Sequence, residues 1–371
     1  MNKSRVGHIK NHIKPTLGLL TGFIYYWLIN HTTLTEIDRN FVGFVLMFPL
    51  VALQIKWPSK NILLWTLSLL IPFTLIYALC GDHVAEMGAS YKAYTTPWAT
   101  LRVLFYLCML SGFIVFVFYC TAIEEKRWSF PYTTLFQEAW LIILKLCFSI
   151  VFVVLTMGFF FLISVLFKLI NITFVEDVVK SALFHQVMMP FLFGIAFMIL
   201  DDKEELIQKI RSLLLALCKF LYPIFVVVSI LFLAVLPFSA QSFQEICGFS
   251  VFLSSLNILL FNGIFQDGIE SRPYGSWVCK LIYVAMFMLC FYAVAVIPYP
   301  WLQMNDSKTN PGLFLLSEIT VIFLALYHLS YCVSIVFSKK SWLSLVKTSN
   351  KIMAIVIAIT YLLLSTPYST F

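Results

Sequence analysis

The feature that most constrains this chain is a series of apolar runs, each close to the length of a membrane-spanning helix. A helix needs about 20 predominantly apolar residues to cross a bilayer, and we predict eleven such spans with short loops between them. The predicted spans are residues 16–29, 41–55, 61–80, 99–123, 139–167, 182–200, 212–238, 246–266, 276–298, 313–337 and 351–365. We therefore expect one integral membrane domain covering residues 1–371 and no separate soluble domain.

Composition favours lipid-exposed helices over a soluble fold or a β-barrel. Hydrophobic residues make up 61% of the chain and charged residues 12%, whereas soluble domains usually carry about 25% charged residues. Strands of a membrane barrel alternate between lipid-facing and lumen-facing residues, but residues 150–166 are apolar at nearly every position. We expect an all-α, polytopic transmembrane helix bundle that has the lipid bilayer as its main partner.

The distribution of lysine and arginine predicts how the spans are oriented. Cytoplasmic loops carry an excess of these residues. With the N-terminus inside, 16 of the 25 basic residues fall in inner segments and five in outer segments. We therefore predict a cytoplasmic N-terminus and an outer C-terminus. The basic residues form no patch with interleaved aromatic residues, so the net charge of +7 does not indicate a nucleic-acid partner.

Two charged segments are predicted to form amphipathic connectors on the inner side. Residues 201–211, DDKEELIQKIR, begin with acidic and end with basic residues, an order that suits a helix dipole. Glu205 also precedes Lys209 by four residues, which places opposite charges on one helix face. We expect a short helix leading into the seventh span, and a second connector over residues 338–350 before the last span.

The sequence shows no signature of catalysis or of a bound metal. No G-x-S-x-G, H-E-x-x-H, Walker or G-x-G-x-x-G motif occurs in it. Its nine cysteines contain no C-x-x-C pair and no spacing typical of a metal site. We therefore expect no catalytic residues, no metal and no other cofactor.

One polar segment stands out where the eighth predicted span ends. Residues seven or eleven apart nearly eclipse on a helix, which places Gly248, Ser255, Asn262 and Gln266 on one stripe. Small and amide side chains favour close contact with other helices in lipid, so we expect this stripe to face inward. Asp267, Arg272 and Lys280 follow across a short hairpin. The six polar or charged candidates for substrate binding or gating are Ser255, Asn262, Gln266, Asp267, Arg272 and Lys280. A packing seam with a local ion pair is the alternative.

Other ionisable residues within the spans are also candidates, because charge in a membrane is costly. Glu318 and His328 lie in the tenth span, about 80° apart around the helix. They either form a proton relay, or His328 donates a hydrogen bond to a neighbouring helix. Lys145, Lys219 and Lys280 lie near predicted cytoplasmic ends. They either extend to the headgroups or converge on a cavity for an anion or a lipid phosphate.

The heptapeptide N-G-I-F-Q-D-G, Asn262 to Gly268, follows a long series of apolar spans. This element resembles the asparagine and Q-D-G element of the bacterial polytopic membrane proteins known as domain of unknown function 4153. The resemblance implies a protein of the bacterial cytoplasmic (inner) membrane. It implies no substrate or reaction.

Three functions are compatible with these features. The sequence most favours a transporter of a small solute or lipid, because of its many spans and the polar stripe. A non-enzymatic envelope scaffold or assembly component is the first alternative. An enzyme acting on a lipid-linked substrate is the second, and it is suggested only by Glu36 and Asp38 in the first outer loop.

Overall fold

The regular secondary structure of the described residues is entirely helical. The computed structural model describes residues 3–31, 50–55, 97–127, 130–235, 243–265, 277–296, 311–337 and 342–364. Within these ranges every regular element is an α-helix, including the short segment 50–55. The longer elements are α1 (Lys3–His31), α2 (Pro97–Glu125), α3 (Tyr132–Leu169), α4 (Phe174–Lys180), α5 (Ala182–Asp201), α6 (Glu204–Val235), α7 (Phe243–Ile264), α8 (Trp277–Val296), α9 (Pro311–Phe337) and α10 (Trp342–Leu364). The predicted all-α class is confirmed.

Five of the described helices are long and apolar enough to cross a membrane. They are α3, α5, the part of α6 that ends at Phe232, the part of α9 that starts at Ile319, and the part of α10 that ends at Tyr361. Helices α7 and α8 contribute shorter apolar stretches, Gly248–Ile264 and Cys279–Val294. These helices indicate a lipid bilayer environment. The predicted span 61–80 and most of the span 41–55 lie outside the described residues.

Two helix boundaries test the predicted connectors. Helix α6 begins at Glu204 and continues to Val235, so the charged segment leads into the seventh predicted span as expected. Helix α10, in contrast, begins at Trp342, well before residue 351. Trp342 and Val346 are both buried in the core. Packing against the core therefore extends the last helix through most of the segment predicted to be a separate connector.

The link between α3 and α5 is organised by short polar contacts. The Ser181 hydroxyl accepts a hydrogen bond from the backbone N–H of Phe184 at 3.2 Å, which caps the start of α5. In α4, the Glu176 carboxylate accepts hydrogen bonds from Lys180 at 2.5 Å and from Lys168 at 3.0 Å. These hydrogen bonds, with that from Lys180 first, hold the pKa of the Glu176 carboxyl below its ordinary value.

Helices α1 and α5 cross with their backbones in contact, because glycine occupies the crossing points. A Cβ atom on Gly18 would lie 2.2 Å from the carbonyl oxygen of Pro190, and one on Gly194 would lie 2.5 Å from that of Lys14. No side chain larger than hydrogen fits at these distances. Small residues of this kind allow close approach of membrane helices, and they bring the start of α1 to the end of α5.

The second half of the chain packs α6 to α10 around an aromatic core. Helix α7 lies against α6 and α8, α8 packs on α9, and α9 on α10, which also contacts α2. Phe261 lies at the centre of this core. Its ring centroid is 4.8 Å from that of Phe287 and 5.2 Å from that of Tyr283, both edge to face, and 5.4 Å from that of Tyr331. Edge-to-face pairs add to the stability given by apolar burial alone.

Helix α3 shows which surface faces lipid. It has 38 residues, which corresponds to a length of about 57 Å. Along its C-terminal half, Val154, Leu155 and Phe159 are each more than half exposed. Such large apolar patches are rare on soluble monomers. A bilayer is the environment in which this surface is stable.

Candidate functional site

A network of hydrogen bonds between two amides and two phenols joins four helices. Asn262 lies near the end of α7, Tyr331 in the last two turns of α9, Asn350 in the third turn of α10 and Tyr132 at the start of α3. The Asn350 amide nitrogen donates to the Tyr132 hydroxyl at 3.0 Å and to the Asn262 side-chain oxygen at 2.9 Å. We call these four residues the amide–phenol cluster.

Tyr331 is the most enclosed member of the amide–phenol cluster. Its hydroxyl accepts from the Asn262 amide nitrogen at 2.9 Å and donates to the side-chain oxygen of Asn350. The residue is fully buried, with its ring between Phe261 and Phe287. A buried hydroxyl or amide without a partner is destabilising. The mutual hydrogen bonds therefore allow these polar groups to lie inside an apolar bundle.

An open cavity lies directly beside the amide–phenol cluster. It has a volume of about 370 Å³ and includes three cluster members in its wall, Tyr132, Asn262 and Asn350. The remaining lining residues are Phe136, Trp140, Ser255, Ile258, Leu259 and Tyr327. The wall thus combines amide, hydroxyl and aromatic groups contributed by α3, α7, α9 and α10. Concave sites with a few polar groups among apolar ones are typical of small-molecule binding.

Three aromatic rings follow one face of α3 along this cavity. Tyr132, Phe136 and Trp140 are spaced four residues apart, so they lie above one another on the helix. Their ring centroids are 6.1 Å and 6.2 Å apart, and the planes are tilted by 33° and 55°. We call these three residues the aromatic row. All three rings belong to one helix and to one part of the cavity wall.

The structure places the predicted site residues in different surroundings. Asn262 joins the cluster, and Ser255 lines the cavity while its hydroxyl donates to the Val251 carbonyl of its own helix at 2.9 Å. Lys280 lies with its amino group 5.3 Å from the centroid of the Trp342 ring, a distance suited to a cation–π contact. Gln266, Asp267 and Arg272 lie outside the described residues, as do Glu36 and Asp38.

The face of α7 that is buried is not the predicted stripe. Gly248 and Ser255 are exposed, whereas Ser250, Ser254 and Asn257 are fully buried together with Phe261. At about 100° per residue the two faces are roughly 135° apart. Two polar side chains of the buried face have hydrogen-bond partners on neighbouring helices, because the Ser254 hydroxyl donates to the Cys290 carbonyl oxygen at 3.5 Å and the Asn257 side-chain oxygen accepts from the Tyr222 hydroxyl at 3.3 Å. Among the stripe residues that the structure describes, Asn262 alone has the expected inward orientation, and it is half-buried.

His328 is buried, but its hydrogen bond stays within its own helix. Nδ1 lies 2.6 Å from the Leu324 carbonyl oxygen. Because a carbonyl only accepts, Nδ1 carries the hydrogen, and Nε2 has no hydrogen-bond partner among the described residues. The ring packs 5.6 Å from Phe287. The sequence predicts a hydrogen bond from His328 to a neighbouring helix, but none is found among the described residues. The Glu318 side chain is outside the description, so the proton relay stays a prediction.

A second polar group lies where α1, α3 and α5 meet. The Asp201 carboxylate forms an ion pair with Lys14 and another with Lys145, the latter at 2.9 Å. Lys14 also donates to the Ile55 carbonyl oxygen at 3.4 Å. The lysine side chains are only 2% and 8% exposed, against 27% for the aspartate. Lys145 therefore pairs inside the bundle and does not extend to the headgroups. We call Lys14, Lys145 and Asp201 the charged triad.

The sequence predicts few members of the amide–phenol cluster and of the charged triad. Asn350 was assigned to the end of a surface connector, although Trp342, Val346 and Asn350 recur every four residues and so share one face of a helix. That spacing was a usable signal for its burial. Asp201 is predicted to begin the short helix that leads into the seventh span, whereas it is the last residue of α5. No local pattern indicates that it pairs with two lysines far away in the sequence.

Comparisons with known proteins add no further identification. No family model matches the chain, and no significant similarity was found to a curated protein or to a solved structure. The resemblance to domain of unknown function 4153 thus rests on residues 262–268, of which residues 262–265 are described. Within the described ranges, His, Cys, Asp and Glu form no group of three that would suit a metal.

Proposed function

We propose that this protein is a multi-pass membrane protein of the bacterial cytoplasmic membrane, with eleven spans, a cytoplasmic N-terminus and an outer C-terminus. Contacts of the charged triad support this arrangement. The positive-inside rule assigns the starts of the first and fifth predicted spans, residue 55 and the end of the sixth predicted span to the cytoplasmic side. These four positions meet at Lys14, Ile55, Lys145 and Asp201. Membership of the family named above remains part of this proposal.

We infer further that the protein transports a small solute or a lipid, and the open cavity beside the amide–phenol cluster is the observation that carries this inference. A polar molecule needs hydrogen-bonding groups to replace water inside a bundle. The cavity offers such groups between four helices, and by the predicted topology it lies toward the cytoplasmic ends of α7 and α9. An opening there provides access from one side of the membrane, as transport requires.

Reconstituted protein tests the inference directly. Proteoliposomes should move at least one member of a panel of sugars, amino acids, ions and fluorescent lipids faster than protein-free liposomes. Tyr132→Phe keeps the ring but removes the hydroxyl that receives the Asn350 hydrogen bond, so it should lower that rate. Tyr26→Phe, in α1 and outside the cavity, should leave the rate unchanged. Absence of transport across the whole panel, with protein shown to be folded, would refute the inference.

A non-enzymatic scaffold is the second candidate, and one observation favours it. Both hydrogens of the Asn350 amide are used inside the cluster, as expected for a seam that fixes how helices pack. In this case Asn350→Leu disrupts assembly with a partner recovered in mild detergent, while Tyr132→Phe has no effect on any solute. Recovery of a reproducible partner together with an inactive flux panel would favour the scaffold over the transporter.

A further inference from the structure

The hydrogen-bond inventory of the cavity shows which groups remain available to a ligand. Asn350 uses both amide hydrogens, whereas Asn262 uses one, toward Tyr331, and so retains one. The Tyr132 hydroxyl accepts from Asn350 and keeps its own hydrogen. Among the described residues, no acceptor is bound to the Tyr327 hydroxyl or the Trp140 indole N–H. Residues that line the cavity therefore carry four such donors, which suit a ligand rich in oxygen acceptors.

No charged residue is among the described residues that line the cavity. Taking an ion out of water without an opposite charge is strongly unfavourable. Phosphate and carboxylate ligands need Arg or Lys, and the aromatic wall alone would favour a cation. However, the rings of the aromatic row lie along one helix with centroids about 6 Å apart, and a cation is best held by rings that surround it. The lining thus favours an uncharged ligand.

The shape and outer rim of the cavity limit the ligand further. A volume of about 370 Å³ is near the lower end of the range of about 300–1,000 Å³ for small-molecule sites, so it holds a headgroup and not a whole lipid. Leu259, in the wall, is 51% exposed, and Phe252 on the same helix is 64% exposed. A headgroup in the cavity can therefore leave its apolar tail on the lipid-facing surface of α7.

We propose that the cavity binds the uncharged, hydroxylated ring of a glycoside, with the apolar face of the sugar on the aromatic row and its oxygens on the four donors. The exposed apolar rim favours a lipid glycoside, and a free sugar shares the same headgroup chemistry. This proposal deepens the transport function, because it names the class of molecule that occupies the same cavity.

Equilibrium binding to purified full-length protein in phospholipid nanodiscs tests the ligand class. The probe is tritiated octyl β-glucoside below its critical micelle concentration, measured by scintillation proximity. Unlabelled octyl glucoside should compete, while octyl phosphate and octyl trimethylammonium, which share its tail, should not. Free glucose should compete only weakly if the tail contributes, and as well as the glucoside if the site takes a free sugar. Equal competition by the charged probes would overturn the proposal.

Matched variants connect the binding to the cavity. Trp140→Leu removes one ring of the aromatic row and one donor and should weaken glucoside binding about tenfold, which is the effect of losing about 1.4 kcal/mol. Trp27→Leu changes a tryptophan that is 57% exposed on α1 and should leave the affinity unchanged. Tyr132→Phe should weaken binding about threefold with the fold intact. Equal affinities for Trp140→Leu and Trp27→Leu would overturn the proposal.

The result can be separated from the test of transport. If the glucoside binds and depends on Trp140 but nothing crosses the membrane, the ligand class stands and the transport function fails. If a charged solute is transported with a rate that depends on Tyr132 and no glycoside binds, transport stands and this proposal fails.

Discussion

Replacing Asp201 by asparagine should strongly destabilise the protein, because the change leaves two buried lysines without a counter-charge. Lys14 and Lys145 are 2% and 8% exposed. Removing one partner of a buried ion pair costs about 3–5 kcal/mol. Asparagine keeps a carbonyl oxygen that accepts a hydrogen bond worth about 1 kcal/mol. We therefore expect a loss of about 2–4 kcal/mol in the free energy of unfolding.

Equilibrium unfolding in mixed micelles of SDS and a non-ionic detergent, followed by circular dichroism, measures this loss. Glu205→Gln is the matched control, because Glu205 pairs with Lys209 on the same helix but both side chains are more than 70% exposed. That change should cost less than about 0.5 kcal/mol.

A second substitution identifies the cause. Lys145→Met in the Asp201→Asn background removes one of the two unpaired cations and should restore part of the stability, as coupled residues do in a double-mutant cycle. Two results would refute the reasoning. One is a free energy of unfolding for Asp201→Asn within about 0.5 kcal/mol of that for Glu205→Gln. The other is a further loss of stability when Lys145→Met is added to Asp201→Asn.

Three further predictions concern packing, orientation and pH. Gly18→Ala should lower the free energy of unfolding by about 1–3 kcal/mol, because its Cβ would meet backbone atoms. Gly158 has open space around it, so Gly158→Ala should leave thermal stability unchanged or slightly higher. Equal effects of the two changes would contradict the tight crossing. A cysteine introduced at Glu205 should be labelled by an impermeant maleimide only from the cytoplasm, and one introduced at Asp177 only from outside; labelling of both from one side would contradict the proposed topology. The pKa of the Glu176 carboxyl is lowered on folding, so its contribution to stability is present above the unfolded pKa and is lost as pH falls through the folded pKa; amide protection factors in α4, which correct for the slower intrinsic exchange at low pH, should fall on acidification, and Glu176→Gln should remove that dependence.

The helical class and most helix positions could be predicted because both depend on local sequence. Long apolar runs must form helices in lipid, where every backbone N–H and C=O needs a partner. The extension of α6 to Glu204 also followed from charge order alone. The start of α10 did not, because burial of Trp342 against residues of α7 is a tertiary effect. Local polarity suggested a connector where packing produced a helix.

The candidate site could be predicted only in part, because it combines residues from distant segments. Asn262 was identified from its position at the end of an apolar run. Its partners Tyr331 and Asn350 are 69 and 88 residues further along. The spacing of Trp342, Val346 and Asn350 indicates that Asn350 is buried, but no local pattern indicates that it or Tyr331 contacts Asn262. The predicted stripe residues Gly248 and Ser255 are exposed, whereas another set of small polar residues on α7, Ser250, Ser254 and Asn257, is buried. Spacing along the helix does not by itself distinguish the two sets.

The ion pair between Lys14 and Asp201 also bears on the order in which the chain is assembled during synthesis. The two residues are 187 positions apart, which corresponds to about 10–40 s of translation at about 5–20 residues per second. Throughout that interval α1 has neither the Asp201 carboxylate nor the α5 backbone against which Gly18 packs. Burial of Lys14 is therefore a late event on the ribosome, and only a chain that has inserted α5 in the correct register can complete it.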